Sequence, residues 1–182
     1  MRWRCCRWQW APPPFDPAVR FGHSLANLVD QRAAAHVETF AAHLPDMDAR
    51  AVALAHALRA LPTTDPGLVH GDLGPGNILA VAGRPSSLLD FGYLSTVGDP
   101  AFDAAVAATL FDMFGPSAAD AEAWLDRLIA ERFGYDRERI LVYRAAYAIV
   151  TASCLVPASD GRHFRWCVDI LRRPDISDAL EL

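Results

Sequence analysis

The most informative stretch of this 182-residue chain reads HGDLGPGNIL at 70–79, LLDFGY at 88–93 and GDPAFDAA at 98–105. The first motif begins a loop in which glycine or proline occupies four of the six positions from Gly71 to Gly76. Such a mixture of permissive and rigid backbone residues predicts a fixed, irregular loop rather than a strand or a helix. Two polar residues, Asp72 and Asn77, lie on this loop.

A β-hairpin is predicted directly after the loop. Its strands are Ile78–Val81 and Ser87–Phe91, and a four-residue turn at 82–85 joins them. With a turn of this length, the register places Asn77 opposite Asp90 at the open end of the hairpin. We therefore expect these two side chains to face each other.

Three polar side chains converge at that end in this interpretation: Asn77, Asp90 and, from the loop, Asp72. One amide and two carboxylates are hard oxygen ligands, which suit Mg²⁺. Magnesium held by few protein groups keeps its other positions for water and phosphates, so the convergence indicates phosphate chemistry. A further carboxylate, Asp103, lies one turn into the helix that Asp99 is predicted to cap. We expect Asp103 to brace the loop by accepting backbone N–H bonds.

Helical periodicity dominates the rest of the chain, which predicts an α+β fold class, mostly α, with several helices around one small hairpin. Apolar residues recur every three or four positions in a series of stripes. The stripes are Val29, Ala33, Val37, Phe40 and Leu44, ended by Pro45; Leu54, Leu58 and Leu61, begun by Asp48; Phe102, Val106, Leu110 and Met113, begun by Asp99-Pro100; Trp124, Leu125 and Leu128, begun by a capping box at Ser117 and Asp120; Ile140, Tyr143, Tyr147, Val150 and Cys154, ended by Pro157; and Phe164, Cys167, Val168 and Leu171.

Composition excludes several classes of protein. With 52% hydrophobic and 21% charged residues, the chain is neither disordered nor collagen-like. A net charge of −5 disfavours binding of nucleic acid through phosphate neutralisation. The four cysteines have neither a disulfide framework nor a zinc-site spacing. No apolar run reaches about 18 residues and no signal-peptide pattern is present. We expect no nucleic-acid partner, no membrane partner and a cytoplasmic location.

Residues 1–16 differ in composition from the rest of the chain. Arg2, Arg4 and Arg7 alternate with tryptophan and cysteine, and three consecutive prolines follow at 12–14. We expect this segment to be a disordered tail and residues 17–182 to form the folded region.

The motifs closely resemble, in order and spacing, those of the aminoglycoside phosphotransferase and choline kinase-like family, which are small-molecule relatives of the protein kinases. The resemblance rests on His70-Gly71-Asp72-Leu73 with Asn77, on Asp90-Phe91-Gly92, and on Gly98-Asp99-Pro100 with Asp103. It covers about residues 20–175 and implies a protein-kinase-like C-terminal lobe. It also implies transfer of the ATP γ-phosphoryl group to a hydroxyl of a small-molecule substrate, with ATP and Mg²⁺ as cofactors.

The resemblance assigns five residues to substrates and cofactors. Asp72 resembles the catalytic base that accepts a proton from the substrate hydroxyl. Asn77 and Asp90 resemble the Mg²⁺ ligands that bridge the nucleotide phosphates. Leu79 and Leu89 resemble the floor of the adenine pocket.

Other positions resemble the support of the loop. His70 looks like the histidine that packs beneath it, and Asp99 and Asp103 look like the residues that stabilise it from the following helix. Gly71 stands where protein kinases carry arginine, which argues against control by an activation-loop phosphate.

The N-terminal nucleotide lobe of that family has no counterpart in this sequence. The residues before His70 are predicted to be helical, without a glycine-rich strand pair, and all 17 basic residues are arginine, so the phosphate-binding lysine is absent. We expect a truncated or mis-started family member. The alternatives are one half of a split enzyme, complemented by a separate lobe, and a non-catalytic remnant that acts as a binding module. An exposed apolar face, and with it self-association, is expected where the lobe would pack.

The resemblance does not select the substrate. Aminoglycosides, other antibiotics, choline, homoserine and sugars are all acceptors in related enzymes, and an antibiotic-resistance role is one of these options. A polycationic aminoglycoside favours an acidic cleft, for which the candidates are Asp112, Asp120, Glu122 and Asp126. The alternative interpretation of these four residues is a solvated helix face.

Overall fold

The computed structural model describes residues 14–152 and 161–182, and this part of the chain is mostly helical with two small antiparallel sheets. The predicted α+β class is therefore confirmed. The helices are α1 (Phe21–Ala35), α2 (Val37–Ala41), α3 (Met47–Ala60), α4 (Ala101–Leu110), α5 (Ala118–Phe133), α6 (Arg137–Thr151), α7 (Arg162–Leu171) and α8 (Pro174–Ala179). The strands are β1 (Gly67–Val69), β2 (Ile78–Val81), β3 (Arg84–Leu88) and β4 (Thr96–Gly98). Within the described ranges, no helix is both long and apolar enough to cross a membrane.

The chain divides into two compact units, and the boundary falls within α6. One unit contains the described residues up to Thr63 together with the described residues from Ala145 onward, and the other is Thr64–Arg144. The predicted tail at 1–16 lies almost wholly outside the described residues, as do Cys154 and Pro157 of the predicted helix end.

The first unit is built on the packing of α1 against α3. Leu25 and Val29 of α1 and Leu54 and Leu58 of α3 are fully buried. Gly22 permits this close approach, because a Cβ there would lie 2.4 Å from the carbonyl oxygen of Leu58. Apolar burial of this kind is the main source of stability for a helix pair.

The first predicted helix is wrong in its bounds. It begins at Phe21 rather than near Val29, and His36, at φ −127°, separates α1 from α2. Because the break changes the helical phase, Val37 is 41% exposed although it belongs to the predicted apolar stripe. The predicted cap Asp48 lies inside the first turn of α3, whose helix begins after Asp46.

Helices α7 and α8 complete this unit. The predicted stripe on α7 is confirmed, since Phe164, Cys167, Val168 and Leu171 are all buried. Burial raises the pKa of the Cys167 thiol to about 12. Helix α8 was not predicted, and Arg50 of α3 donates to Leu171 O at 2.8 Å and to Ser177 Oγ of α8 at 3.0 Å.

The second unit contains both sheets. Strand β1 pairs with β4, with Gly67 opposite Gly98 and Val69 opposite Thr96. This sheet was not predicted, because two three-residue strands far apart in the chain leave no local period to detect. Its consequence is to bring the loop that begins at His70 next to the segment that leads into α4.

The predicted hairpin exists, but its predicted register is wrong. Ala82 and Gly83 have positive φ values of 49° and 74° and form a two-residue turn, which places Val81 opposite Arg84. Two-residue turns with both central φ positive match the twist of paired strands. The shorter turn moves the pairing by two residues and an irregularity between Leu79 and Ala80 returns one of them, so that Leu89 N donates to Asn77 O at 2.9 Å. Asp90 therefore lies one residue beyond the position opposite Asn77.

Helix α5 exposes the face that was predicted to be buried. Trp124 and Leu128 are 52% and 43% exposed, whereas Glu122 and Asp126 bind Arg144 of α6. The side chain of Arg144 is only 1% exposed, so its guanidinium must be paired and hydrogen-bonded in the interior. The inward side of α5 therefore combines the two carboxylates with the buried Ile129, and Trp124 and Leu128 lie outside it.

Candidate active site

The loop that begins at His70 is held by one carboxylate from the first turn of α4. Asp103 accepts the His70 N–H at 2.6 Å and the Gly71 N–H at 2.8 Å, one on each carboxylate oxygen. Burial raises the pKa of Asp103, although the two N–H bonds act in the opposite direction. This is the arrangement that the sequence interpretation assigned to Asp103 as a brace.

His70 is buried and both of its ring nitrogens are engaged. Its Nε2 lies 2.6 Å from Leu89 O, and its Nδ1 accepts the Asp72 N–H at 3.2 Å. A ring that accepts at Nδ1 and donates from Nε2–H is the neutral imidazole. The Phe91 ring packs against it at a centroid distance of 4.7 Å. The ring therefore links Asp72 to the backbone after β3, which favours a supporting role over proton transfer.

Gly71 gives the loop its sharp direction. Its φ of +85° is in the left-handed region, and a Cβ there would lie 2.4 Å from Leu94 Cβ and 2.6 Å from Leu94 O. Glycine is therefore required at this position by both backbone conformation and space.

Asp72, the third residue of this loop, is exposed. Its carbonyl oxygen accepts the Gly74 N–H at 2.9 Å and Asn77 Nδ2 at 2.8 Å. The second bond orients the Asn77 amide. Because Nδ2 donates to the loop, Oδ1 is the side-chain atom that can bind a cation. The structure thus places the Asn77 side chain against the backbone of Asp72, the predicted base.

Asp90 follows β3 in a conformation that few non-glycine residues adopt. Its φ is +56° and it is exposed. Aspartate tolerates this region better than most residues, and backbones of this kind concentrate at functional sites. The bond from Leu89 N to Asn77 O places Asp90 one residue from the backbone pair that includes Asn77.

The donor set of Asn77 Oδ1 with exposed carboxylates has the chemistry that Mg²⁺ prefers. In the part of the chain that the structure describes, no group of three or more His, Cys, Asp or Glu side chains is arranged to hold a metal ion. A site of one amide and carboxylates, completed by water and phosphate oxygens, does not need such a group.

Leu79 and Leu89 lie on one face of the hairpin. Leu79 pairs with Ser87, and Leu89 bonds to Asn77 two positions along, so the two leucines are diagonal neighbours. They are 48% and 38% exposed. The face they form is open to a ligand on the same hairpin that carries Asn77.

Asp99 is apart from the loop and acts through α4. Its Oδ1 accepts the Ala101 N–H at 3.0 Å, although the N-cap of α4 is Pro100, one residue after the predicted cap. Its Oδ2 accepts Tyr143 Oη at 2.5 Å and Arg139 Nε at 2.7 Å, and Arg139 Nη2 also contacts it. Burial, and then the Asp99 carboxylate, raise the pKa of the Tyr143 phenol far above its usual range. The start of α4, one turn before Asp103, is thereby bound to α6.

Three residues that support this region were missed by sequence reasoning. Tyr143 belongs to the predicted apolar stripe of its helix, and Arg139 lies four residues earlier on the same helix face. The spacing of these two residues was a signal that could have been used. Ser95, which contacts the backbone on both sides of the site, has no local signal at all.

The proposed acidic cleft is corrected for two of its four residues. Glu122 Oε1 and Asp126 Oδ1 lie 3.0 Å and 2.8 Å from the Arg144 guanidinium. They therefore form neither a cleft for a polycation nor a solvated face. Asp120 is exposed and Asp112 is half-buried.

Comparison with known proteins bears directly on this site. Residues 6–141 match the model of the phosphotransferase enzyme family, and the matched segment contains all three motifs. No curated protein and no solved structure matches the chain. A match over most of the sequence shows the family, and the chain therefore belongs to the phosphotransferase enzyme family.

Proposed function

We propose that this protein transfers the γ-phosphoryl group of ATP to a hydroxyl of a small molecule, through a protein-kinase-like C-terminal lobe. The observation that carries the proposal is the loop in which Asp103 holds the His70 and Gly71 N–H groups while Asp72 is exposed two residues later. In a chain of this family, a rigid loop that presents one carboxylate to solvent is what phosphoryl transfer requires. Catalysis of this reaction depends mainly on positioning and on charge neutralisation.

Asp72 is the proposed base. Its backbone is fixed by the His70 ring on one side and by the Asn77 amide on the other. The carboxylate can then accept the hydroxyl proton of a bound acceptor without a change in loop conformation. Positioned proton transfer of this kind contributes about 10²–10⁴-fold to the rate.

Asn77 and Asp90 are the proposed ligands for Mg²⁺, and Leu79 and Leu89 the proposed floor of the adenine pocket. Bound Mg²⁺ neutralises the charge of the ATP phosphates. The oriented Asn77 amide and the left-handed backbone at Asp90 support this assignment. The use of ATP is also consistent with the cytoplasmic location that we propose.

Aminoglycosides and other antibiotics are the acceptors to be tested first, with choline, homoserine and sugars as comparison classes. Since Glu122 and Asp126 are committed to Arg144, an aminoglycoside would have to bind acidic groups other than these two.

The second candidate function is a binding module without catalysis, which the complete absence of lysine favours. Arginine is an imperfect substitute, because its planar guanidinium differs from a compact ammonium group. The hairpin also exposes Val81 and Leu88, and Phe91 is exposed three residues after it. These apolar side chains support the proposal of self-association or of a complementing lobe.

The test is an assay of ADP release with Mg²⁺ and a panel of hydroxylated acceptors, combined with calorimetric titration of ATP. We expect acceptor-dependent turnover, and we expect Asp72→Ala to lower kcat at least about 10²-fold while nucleotide affinity is retained. Asp90→Ala is expected to lose Mg²⁺-dependent ATP binding.

Asp178→Ala is the matched control, because Asp178 is an exposed aspartate on α8. A near-normal kcat in Asp72→Ala would contradict the assignment of the base. Nucleotide binding without turnover for any acceptor would favour the binding module.

A further inference from the structure

Ser95 uses its hydroxyl to connect two backbone segments of the site. Ser95 Oγ donates to His70 O at 2.7 Å and accepts the Gly92 N–H at 2.9 Å. The backbone of Ser95 also returns to Gly92, since Ser95 N donates to Gly92 O at 3.0 Å. One half-buried side chain thus satisfies a carbonyl on the first loop and an amide on the second.

The two backbone positions that Ser95 connects, His70 and Gly92, each lie two residues from a residue of the proposed site. His70 lies two residues before Asp72, and Gly92 lies two residues after Asp90. Leu94, next to Ser95, lies so close to Gly71 that a Cβ on Gly71 would be 2.4 Å from Leu94 Cβ, so the two segments approach each other closely at this point. The hydroxyl therefore bridges the segment that carries the proposed base and the segment that carries a proposed metal ligand.

We propose that Ser95 is a positioning residue that fixes Asp72 relative to Asp90, and so aligns the acceptor hydroxyl with the nucleotide phosphate. This inference rests on the proposed function. Ser95 does not contact the reacting groups. Its effect arises because a displacement of about 1 Å between reacting groups lowers a rate by up to about 10²-fold.

The contacts predict a separation between turnover and nucleotide binding. Asn77 is joined to Leu89 by a backbone bond that does not involve Ser95. Loss of the Ser95 hydroxyl should therefore leave the Asn77 and Asp90 ligands together. Asp72 would then be held to them only by the Asn77 amide and by the His70 ring, so the distance between Asp72 and Asp90 is fixed less closely. We expect a lower kcat with an almost unchanged KM for ATP.

The experiment compares Ser95→Ala with Ser177→Ala in the full chain. Ser177 is also half-buried, and its hydroxyl accepts a bond from Arg50 in the other compact unit. We expect Ser95→Ala to lower kcat about 10–100-fold with KM for ATP changed less than about threefold. Amide hydrogen exchange at Gly92 should accelerate, because its acceptor is lost. Ser177→Ala should change neither kcat nor exchange at Gly92.

Ser95→Thr keeps the hydroxyl and should recover most of the lost kcat, which a purely structural effect on folding would not predict. If Ser95→Ala does not fold, Ser95→Cys replaces it, because sulfur is a weak hydrogen-bonding group and should lower kcat in the same direction.

The failure of this inference differs from the failure of the proposed function. The inference alone would be overturned if the wild type turns over and folded Ser95→Ala or Ser95→Cys has a kcat within about twofold of the wild-type value. Absence of turnover in the wild type with every acceptor would overturn the proposed function and the inference with it.

Discussion

Replacement of Asp99 by asparagine tests the buried ionic cluster that anchors α4. The side chains of Asp99 and Arg139 are only 6% and 11% exposed. Asp99 accepts bonds from the Arg139 guanidinium, the Tyr143 hydroxyl and the Ala101 N–H. Asp99→Asn keeps the shape of the side chain, removes its charge and replaces one acceptor oxygen with a donor.

The expected loss of stability depends on the groups that remain in the interior. Removing one partner of a buried ion pair leaves an uncompensated charge and costs about 3–5 kcal/mol. Because Arg139 retains a little exposure, the lower limit of about 3 kcal/mol is appropriate. Tyr143→Phe removes a single hydrogen bond to a charged group, for which about 1.5–3 kcal/mol is expected. Since the two changes remove the same contact, the double variant should lose less than the sum of the single losses, by about 1 kcal/mol or more.

The measurement is urea-induced unfolding followed by circular dichroism and tryptophan fluorescence, whose coincidence tests for a two-state transition. Asp30→Asn is the matched control, because Asp30 also binds an arginine, Arg59, at 2.8 Å, but with both side chains more than 40% exposed. An exposed pair of this kind contributes about 0–1 kcal/mol. A loss in Asp99→Asn as small as that of Asp30→Asn, or additive losses with Tyr143→Phe, would refute the argument that burial makes this cluster important.

Two further predictions concern the loop itself. Gly71→Ala should destabilise the protein by more than about 1 kcal/mol in the same urea assay, because a Cβ at Gly71 would meet Leu94 in a left-handed backbone. Gly76→Ala should be almost neutral, because a Cβ there meets nothing within 4 Å. Equal losses of stability in the two variants would contradict the close approach of Gly71 to Leu94. Burial raises the pKa of Asp103 above its usual 3.8, so the folded protein holds this proton more tightly than the unfolded chain does. The resulting contribution to stability is complete below pH 3.8 and is lost as pH rises through the folded pKa. The stability of the wild type relative to Asp103→Asn should therefore decrease over that range of pH, and a difference that does not vary with pH would show that the pKa is not raised.

Much of the helical architecture could be predicted from local sequence. The start of α4 follows from Asp99-Pro100, and the Asp99 carboxylate accepts the N–H of Ala101. The stripes of α6 and α7 were also correct over their described residues. Helix α5 was the exception, because a buried Arg144 from another helix reversed the face that a hydrophobic pattern selects.

The candidate active site was also predicted in part: its residues were identified, but their pairing in the hairpin was not. Its motif residues were identified from type and spacing, and the positive φ at Ala82 and Gly83 could have been considered from the Ala-Gly pair. The register was still wrong, by two residues next to the turn and by one at Asn77, since the turn length and the irregularity between Leu79 and Ala80 could not be read from the pattern of polar and apolar residues.

Local sequence was sufficient for helix type, for the start of α4 and for the set of polar residues in the three motifs, because these depend on interactions over three or four positions. Tertiary packing was required for the β1–β4 pairing, for the Asp103 bonds to His70 and Gly71, and for the bridge made by Ser95. Each of these contacts joins a backbone group to a backbone or side-chain group that is far away in the chain, 33 residues for His70 and Asp103 and 25 for His70 and Ser95. Backbone N–H and C=O groups are present at almost every position, so only the folded arrangement selects which of them a given side chain satisfies.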